Sequence, residues 1–246
     1  MRASAIEFRL RMLIQVAIVG LGFWAPWIGW WDLGRRIATL EWLALKISRM
    51  GVMSFTAASP AVIALGALFA LAGMVFRVWG AAYLGYDVVH HGQMQAGGVM
   101  AAGPYRYVRN PLYLGGWCMM VAISLLMPPS GALFTLVLVT VFYLRLILGE
   151  EAILAAKLGE PYRAYLRAAP RLVPRLRSRL PGTAAKPHWL VAMVTEVNAI
   201  GIFVTMAFLS WTYDNLLMIK AVLISFGVSL IVRAFMMRGE ANAGAA

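Results

Sequence analysis

Apolar residues gather in long unbroken runs along this chain, and the runs have the length of membrane-crossing helices. A helix that spans the hydrocarbon core needs about 20 mostly apolar residues. Runs of that kind predict spans over Leu10–Trp31, Ala57–Trp79, Leu112–Met127, Ala132–Gly149, His188–Ser210 and Leu216–Met237. The third and fourth make a hairpin around Pro128-Pro129-Ser130-Gly131 and are short for full spans, which tilt or local thinning of the bilayer accommodates. The fold class is all-α integral membrane, with about six transmembrane helices, or five if one hairpin is re-entrant. Gly66, Ala70 and Gly73 line the second span with small residues that allow close helix packing. Between the first two spans, Ile37, Leu40, Ala44 and Ile47 share one helical face and Arg35, Thr39, Lys46 and Arg49 the other, with Glu41 interrupting the apolar stripe. That pattern predicts an amphipathic helix in the interface. A further helix falls in the polar stretch after the fourth span. The chain divides into an N-terminal span with its interfacial helix (1–53), a central core (54–180) and a C-terminal transmembrane hairpin with a short tail (181–246).

Composition narrows the class. Hydrophobic residues make up 62% and charged residues 13%, against about 45–50% apolar and about 25% charged in soluble domains. A soluble enzyme and a disordered chain are both excluded. The 22 Lys and Arg against 10 Asp and Glu give a net charge of +12. A nucleic-acid partner is excluded, because the chain lacks the polar surface such binding needs. Cys118, the single cysteine, excludes an intrachain disulfide and a cysteine-based zinc cluster, and no metal site is expected. Arg9 and Arg11 before the first run resemble a signal peptide, but the run is too long for one and no A-x-A-like site follows. It reads as a retained helix with Trp24, Trp27, Trp30 and Trp31 at the interface.

Charge also sets orientation. With the N-terminus inside, only Arg35, Arg36, Lys46, Arg49 and Lys220 of the 22 basic residues fall outside. The bias places both termini in the cytosol, together with the loops Gly80–Pro111 and Glu150–Pro187, which hold most of the polar chemistry.

The first of those loops ends GPYRYVRNPLYLG, residues 103–115. Gly103-Pro104 makes a turn, Asn110 suits an N-cap and Pro111 the first turn of a helix. The free N–H groups at that helix start are available to an anion or polar ligand. Arg106, Arg109, Tyr105, Tyr107 and Tyr113 crowd the same edge, where an interfacial anchor is the plainer use. Glu150 and Glu151 end the fourth span, with Arg145 a turn earlier. Neighbouring helical side chains point about 100° apart, so one carboxylate can face the core and the other water. Inside the fifth span Glu196 needs a partner, and Arg233 or a proton on Glu196 itself would serve.

GPYRYVRNPLYLG, a helical hairpin, then EE and LGEPYRAYLRAAPRLVP together resemble the isoprenylcysteine carboxyl methyltransferase and phospholipid methyltransferase family of integral membrane enzymes. The resemblance covers Arg77 to Pro174. It implies an S-adenosyl-L-methionine pocket at the cytosolic membrane edge. Tyr105, Asn110, Pro111, Leu112 and Tyr113 would line it, with Gly97, Gly98, Val99 and Met100 through their backbone, and Glu150 would hold a polar group of the cofactor. Many members have His where this chain has Asn110, and Gly97 also stands where a His is usual, with His90 and His91 further back. Carboxylate-methylating members carry an Arg where this chain has Leu146; Arg145 is one residue off.

The acceptor stays open at this level. A carboxylate needs only an Arg-like anchor, a thiol needs nearby positive charge, and an amine needs a base. Arg106, Arg109 and Arg145 suit the first two; Glu151, His90 or His91 suits the third. Arg145, Glu151 and Arg109 are the catalytic candidates. The expected substrate is lipid-like or isoprenoid, entering from the membrane, with a small thiol or amine as alternative. Partners are membrane lipids and a second copy of the chain through the C-terminal hairpin. Two further readings stand beside this one: an NADPH-dependent sterol-type reductase and a non-catalytic membrane scaffold.

Overall fold

The computed structural model describes residues 2–24, 28–84, 102–181 and 185–243. Among them the regular structure is entirely helical. The helices are α1 (Ala5–Arg9), α2 (Arg11–Trp24), α3 (Thr39–Arg49), α4 (Phe55–Leu84), α5 (Pro111–Ser124), α6 (Pro129–Leu158), α7 (Glu160–Ala168), α8 (Trp189–Thr195), α9 (Val197–Phe208) and α10 (Asn215–Ala243). Pro111 and Pro129 open α5 and α6 at the position where a missing N–H costs nothing. Gly159 ends α6 at φ +66°, a conformation that favours glycine.

Among the described residues, three helices are long and apolar enough to cross a membrane: α4, α6 and the stretch Asn215–Met236 of α10. The pair α8 and α9 makes a fourth if its 70° bend is taken as one broken span. The remaining two expected spans are shorter than their apolar runs: α2 and α5 have 14 residues each, about 21 Å of helix. For α5 the reason is visible. Its end runs into a buried turn, Leu125–Met127, whose carbonyls find partners from elsewhere. The Thr39 N–H and hydroxyl donate to Met127 O at 2.8 and 2.7 Å, Leu40 N to Leu125 O at 2.9 Å, and Asn215 Nδ2 to Leu126 O at 3.2 Å. Irregular backbone is tolerated at such depth only when protein groups satisfy it. The segment predicted to lie in the interface therefore covers the α5–α6 turn, and its Leu40, Leu43 and Ile47 pack on the main core.

α4 and α5 form the closest pair. A Cβ on Gly73 would lie 2.9 Å from the Gly115 carbonyl oxygen, and one on Gly115 2.7 Å from that of Gly73. The two backbones touch, as the small-residue stripe on α4 predicts. Val62 and Ala70 of α4, Met119 and Ile123 of α5, and Ile202 and Met206 of α9 fill the core between them. A second cluster joins Ile18 of α2 to Val139, Phe142 and Leu146 of α6.

Glu196, at the bend between α8 and α9, pairs with Arg77 of α4. Glu196 Oε2 is 2.5 Å from Arg77 Nε, and Oε1 is 2.8 Å from Nη2. The bend turns Glu196 toward α4, so a buried two-point ion pair ties the C-terminal hairpin to the central core.

Candidate functional site

The site grows from the place where the loop before α5 meets the end of α6. Gly103–Arg106 forms a short 3-10 turn, and Gly103 has φ +48° with the Tyr83 ring where a Cβ would stand. Tyr105 is thereby buried. Its carbonyl accepts from the Tyr165 hydroxyl of α7 at 2.9 Å, and its own hydroxyl reaches Gly80 O at 3.5 Å. Burial pushes the Tyr105 and Tyr165 phenols well above their ordinary range, and that of Tyr162 to about 12. These three remain neutral hydrogen-bonding groups.

Glu150 and Glu151 face opposite ways. Glu151 turns inward and is buried. Arg109 Nη1 lies 3.2 Å from its Oε1, and Arg171 Nη2 2.8 Å from its Oε2. Asn110 Nδ2 reaches the same Oε1 at 3.4 Å and Arg171 O at 3.2 Å. Asn110 occupies the N-cap position of α5, but its side chain makes no capping bond. Its amide nitrogen is drawn to the Glu151 carboxylate, a charged acceptor, and in that orientation its Oδ1 accepts from no helix N–H. The first-turn amides of α5 are left without that cap. The Glu151 pairing also holds the Arg171 guanidinium above its ordinary range.

Glu150 turns outward. Its Oε1 accepts from the Tyr113 hydroxyl at 2.7 Å and lies 3.8 Å from Arg11 Nη1 of α2. Its Oε2 has no hydrogen-bond partner among the described residues. The Tyr113 ring meets Tyr143 of α6 edge-on, with centroids 5.4 Å apart. Pro111 is buried, and Leu112 packs with Ala81, Ala82 and Ala192.

The structure thus gathers Tyr105, Arg109, Asn110, Pro111, Leu112, Tyr113, Glu150 and Glu151 at one end of the bundle. Arg145 stands apart. Its guanidinium is taken by Glu7 of α1, Nε to Oε1 and Nη2 to Oε2, both at 2.9 Å. Gly97, Gly98, Val99, Met100, His90 and His91 lie outside the described residues. Sequence reasoning missed Arg77, Tyr143, Arg11 and Glu7. Of these only Arg77 carried a signal, a lone cation within an apolar run. No group of three or more His, Cys, Asp or Glu side chains that would suit a metal occurs among the described residues.

The bundle and its polar end define an all-helical membrane protein with an arginine–carboxylate–tyrosine site where its longest helices emerge. No curated protein and no solved structure matches the chain. Residues 61–160 match the family model of phospholipid methyltransferase, the family that the motifs resemble. The matched stretch runs from the second turn of α4 to the first residue of α7. It takes in the loop 103–110, Tyr113 and the Glu150–Glu151 pair. The N-terminal helices, Arg171 and the C-terminal hairpin lie outside it.

Proposed function

We propose that the protein is an S-adenosylmethionine-dependent methyltransferase that acts on a phospholipid amine at the cytosolic edge of the membrane. The family match over residues 61–160 carries this reading, because both polar motifs of the site lie within it. The donor set fits the cofactor. Glu150 offers an unengaged carboxylate oxygen to a hydroxyl or ammonium group, and the uncapped first turn of α5 at Leu112 and Tyr113 offers N–H groups to a carboxylate. The paired rings of Tyr113 and Tyr143 suit a sulfonium, which aromatic faces attract. When bound, the cofactor supplies an electrophilic methyl group.

The chain's own residues do the positioning. Glu151, locked between Arg109 and Arg171, fixes the loop 103–110 against α6 and so sets where Tyr105 and Asn110 stand. Alignment of this kind accounts for much of the rate in displacement reactions. An amine acceptor must shed a proton before it attacks; Glu151 is held by two guanidiniums, whereas among the described residues Glu150 meets only that of Arg11, at 3.8 Å, and is the carboxylate left to take that proton. Arg145, engaged by Glu7, is assigned to holding the N-terminal segment. Exposed apolar residues of α10, among them Leu223, Ile224 and Ile231, give lipid and a second copy of the chain a surface. The excess of Lys and Arg in the loops 80–111 and 150–187 supports the cytosolic placement and both termini inside.

Calorimetry on the detergent-purified protein tests the cofactor. S-adenosylhomocysteine is expected to bind and NADPH to give no heat; the reverse would establish the reductase reading, and silence toward both the scaffold. Transfer of labelled methyl in phosphatidylethanolamine proteoliposomes tests the acceptor. Label in a prenylcysteine carboxylate analogue instead would move the substrate class to carboxylates.

A further inference from the structure

Beyond Arg171 the chain runs back along the loop that opens α5. Arg109 N donates to Pro170 O at 2.8 Å and Arg175 N to Tyr107 O at 3.1 Å. The Ser178 hydroxyl donates to Arg106 O at 3.0 Å, and Arg106 Nη2 to Leu180 O at 2.9 Å. Together with the Arg171–Glu151 pair, these bonds make residues 170–180 a strap fastened to the site. Its outward face is unusual: Leu176 is 98% exposed and Val173 78%. Arg177 and Arg179 are exposed beside them and have no hydrogen bond or ion pair among the described residues.

The height of the strap follows from α6. Its 30 residues make about 45 Å of helix, against a hydrocarbon core of about 30 Å, so its last turns stand at or beyond the membrane edge. Glu151 is in those turns and holds Arg171. Leu176 is five residues further on, within about 17 Å of that anchor. Its neighbour Arg175 is pinned to Tyr107, four residues before α5 begins. Exposed aliphatic side chains followed by two unpaired guanidiniums, at the height of the membrane edge, match an anionic headgroup layer. An acidic protein would use the arginines but would leave that height, and the two bare aliphatic residues, unexplained.

We propose that the strap 170–180 docks on anionic phospholipid, with Val173 and Leu176 below the headgroups and Arg177 and Arg179 among their phosphates. The proposal rests on the membrane reading of the fold, not on methyl transfer. The test places a nitroxide at Leu176→Cys, and separately at Val173→Cys, with the buried Cys118 changed to Ala. Accessibility to an aqueous nickel complex is read in vesicles of phosphatidylcholine alone and with phosphatidylglycerol. In the anionic vesicles both labels are expected to be shielded, and shielding is expected to fall as salt rises. Arg177→Gln with Arg179→Gln is expected to weaken the preference for anionic vesicles by about tenfold or more, since each basic residue near such a surface contributes about fivefold. Equal accessibility in the two compositions overturns the proposal, as does full shielding that the double substitution leaves unchanged. Labels shielded only when an acidic protein is added would assign the strap to a protein partner. Methyl transfer plays no part in the readout, so failure here and failure of the enzymatic reading are distinguishable.

Discussion

Glu7 and Arg145 meet 138 positions apart in a two-point ion pair, with both N–O distances at 2.9 Å. Around this pair the N-terminal segment is fastened to α6: Ala3 N donates to Arg145 O, and the Phe8 ring covers Gly149, where a Cβ would come within 2.7 Å of it. Arg145 therefore acts through α1. Arg145→Gln and Glu7→Gln are expected to lower the melting temperature in detergent by similar amounts, and the double variant no further than either alone. Additive losses would show that Arg145 has a second role.

The same pair carries a pH dependence. Arg145, and then the Ser4 N–H, hold the Glu7 carboxyl at about 2, against an ordinary value of 4.5. A depressed carboxyl stabilises the fold fully above its unfolded value and loses that contribution as pH falls through its folded value. Melting temperature is thus expected to fall more steeply in the parent than in Glu7→Gln between pH 4.5 and about 2. Parallel curves in thermal scans would falsify this.

Glu150 is the outward carboxylate of the pair. Glu150→Gln is expected to weaken S-adenosylhomocysteine binding by about 1–3 kcal/mol, the loss of a charged hydrogen bond. Tyr113→Phe, which frees Glu150 Oε1 of one donor, is expected to cost less, about 0.5–1.5 kcal/mol. Calorimetry reads both, and unchanged affinity in a folded Glu150→Gln protein removes this residue from the site.

Glu151 is the inward carboxylate. Glu151→Ala strands Arg109, whose side chain is only 12% exposed, without its counter-ion, so a loss of about 3 kcal/mol in stability is expected. The strap 170–180 would lose the side-chain anchor at Arg171. Trypsin is then expected to cut after Arg171 or Arg175 faster than in the parent, which timed digestion would show.

Gly115→Ala tests the crossing of α4 and α5. The new methyl would stand 2.7 Å from Gly73 O, and backbone has no rotamer by which to yield. A cost of about 1–3 kcal/mol is expected, as for other overpacked contacts. The same change at Gly20, mid-helix in α2 with nothing within 4 Å, is expected to raise the melting temperature slightly, since alanine favours the helix over glycine by about 0.5–1 kcal/mol.

Much of this protein was determined by local pattern. The long apolar runs predict helices, and the described parts of each run are largely helical. Proline at 111 starts one of them, because the ring needs no N–H partner there; Pro129 starts another, three residues before the predicted Ala132, inside the stretch that reads as the hairpin break. The stripe Gly66, Ala70, Gly73 predicts a close crossing, since the absence of side-chain bulk is itself a packing signal. The divergence of Glu150 and Glu151 follows from helical geometry alone. Tertiary structure decided what depends on residues far apart in the chain. Helix length is one such property: α5 stops at Ser124 because Thr39, Leu40 and Asn215 satisfy the turn that follows. The partners of buried charges are another. Arg77 meets Glu196, and Glu7 meets Arg145, since an ion pair is fixed by the path of two segments through space. Asn110 reads from sequence as a cap, yet its amide nitrogen donates to Glu151, 41 positions away, and the orientation that bond sets leaves its oxygen without a helix N–H.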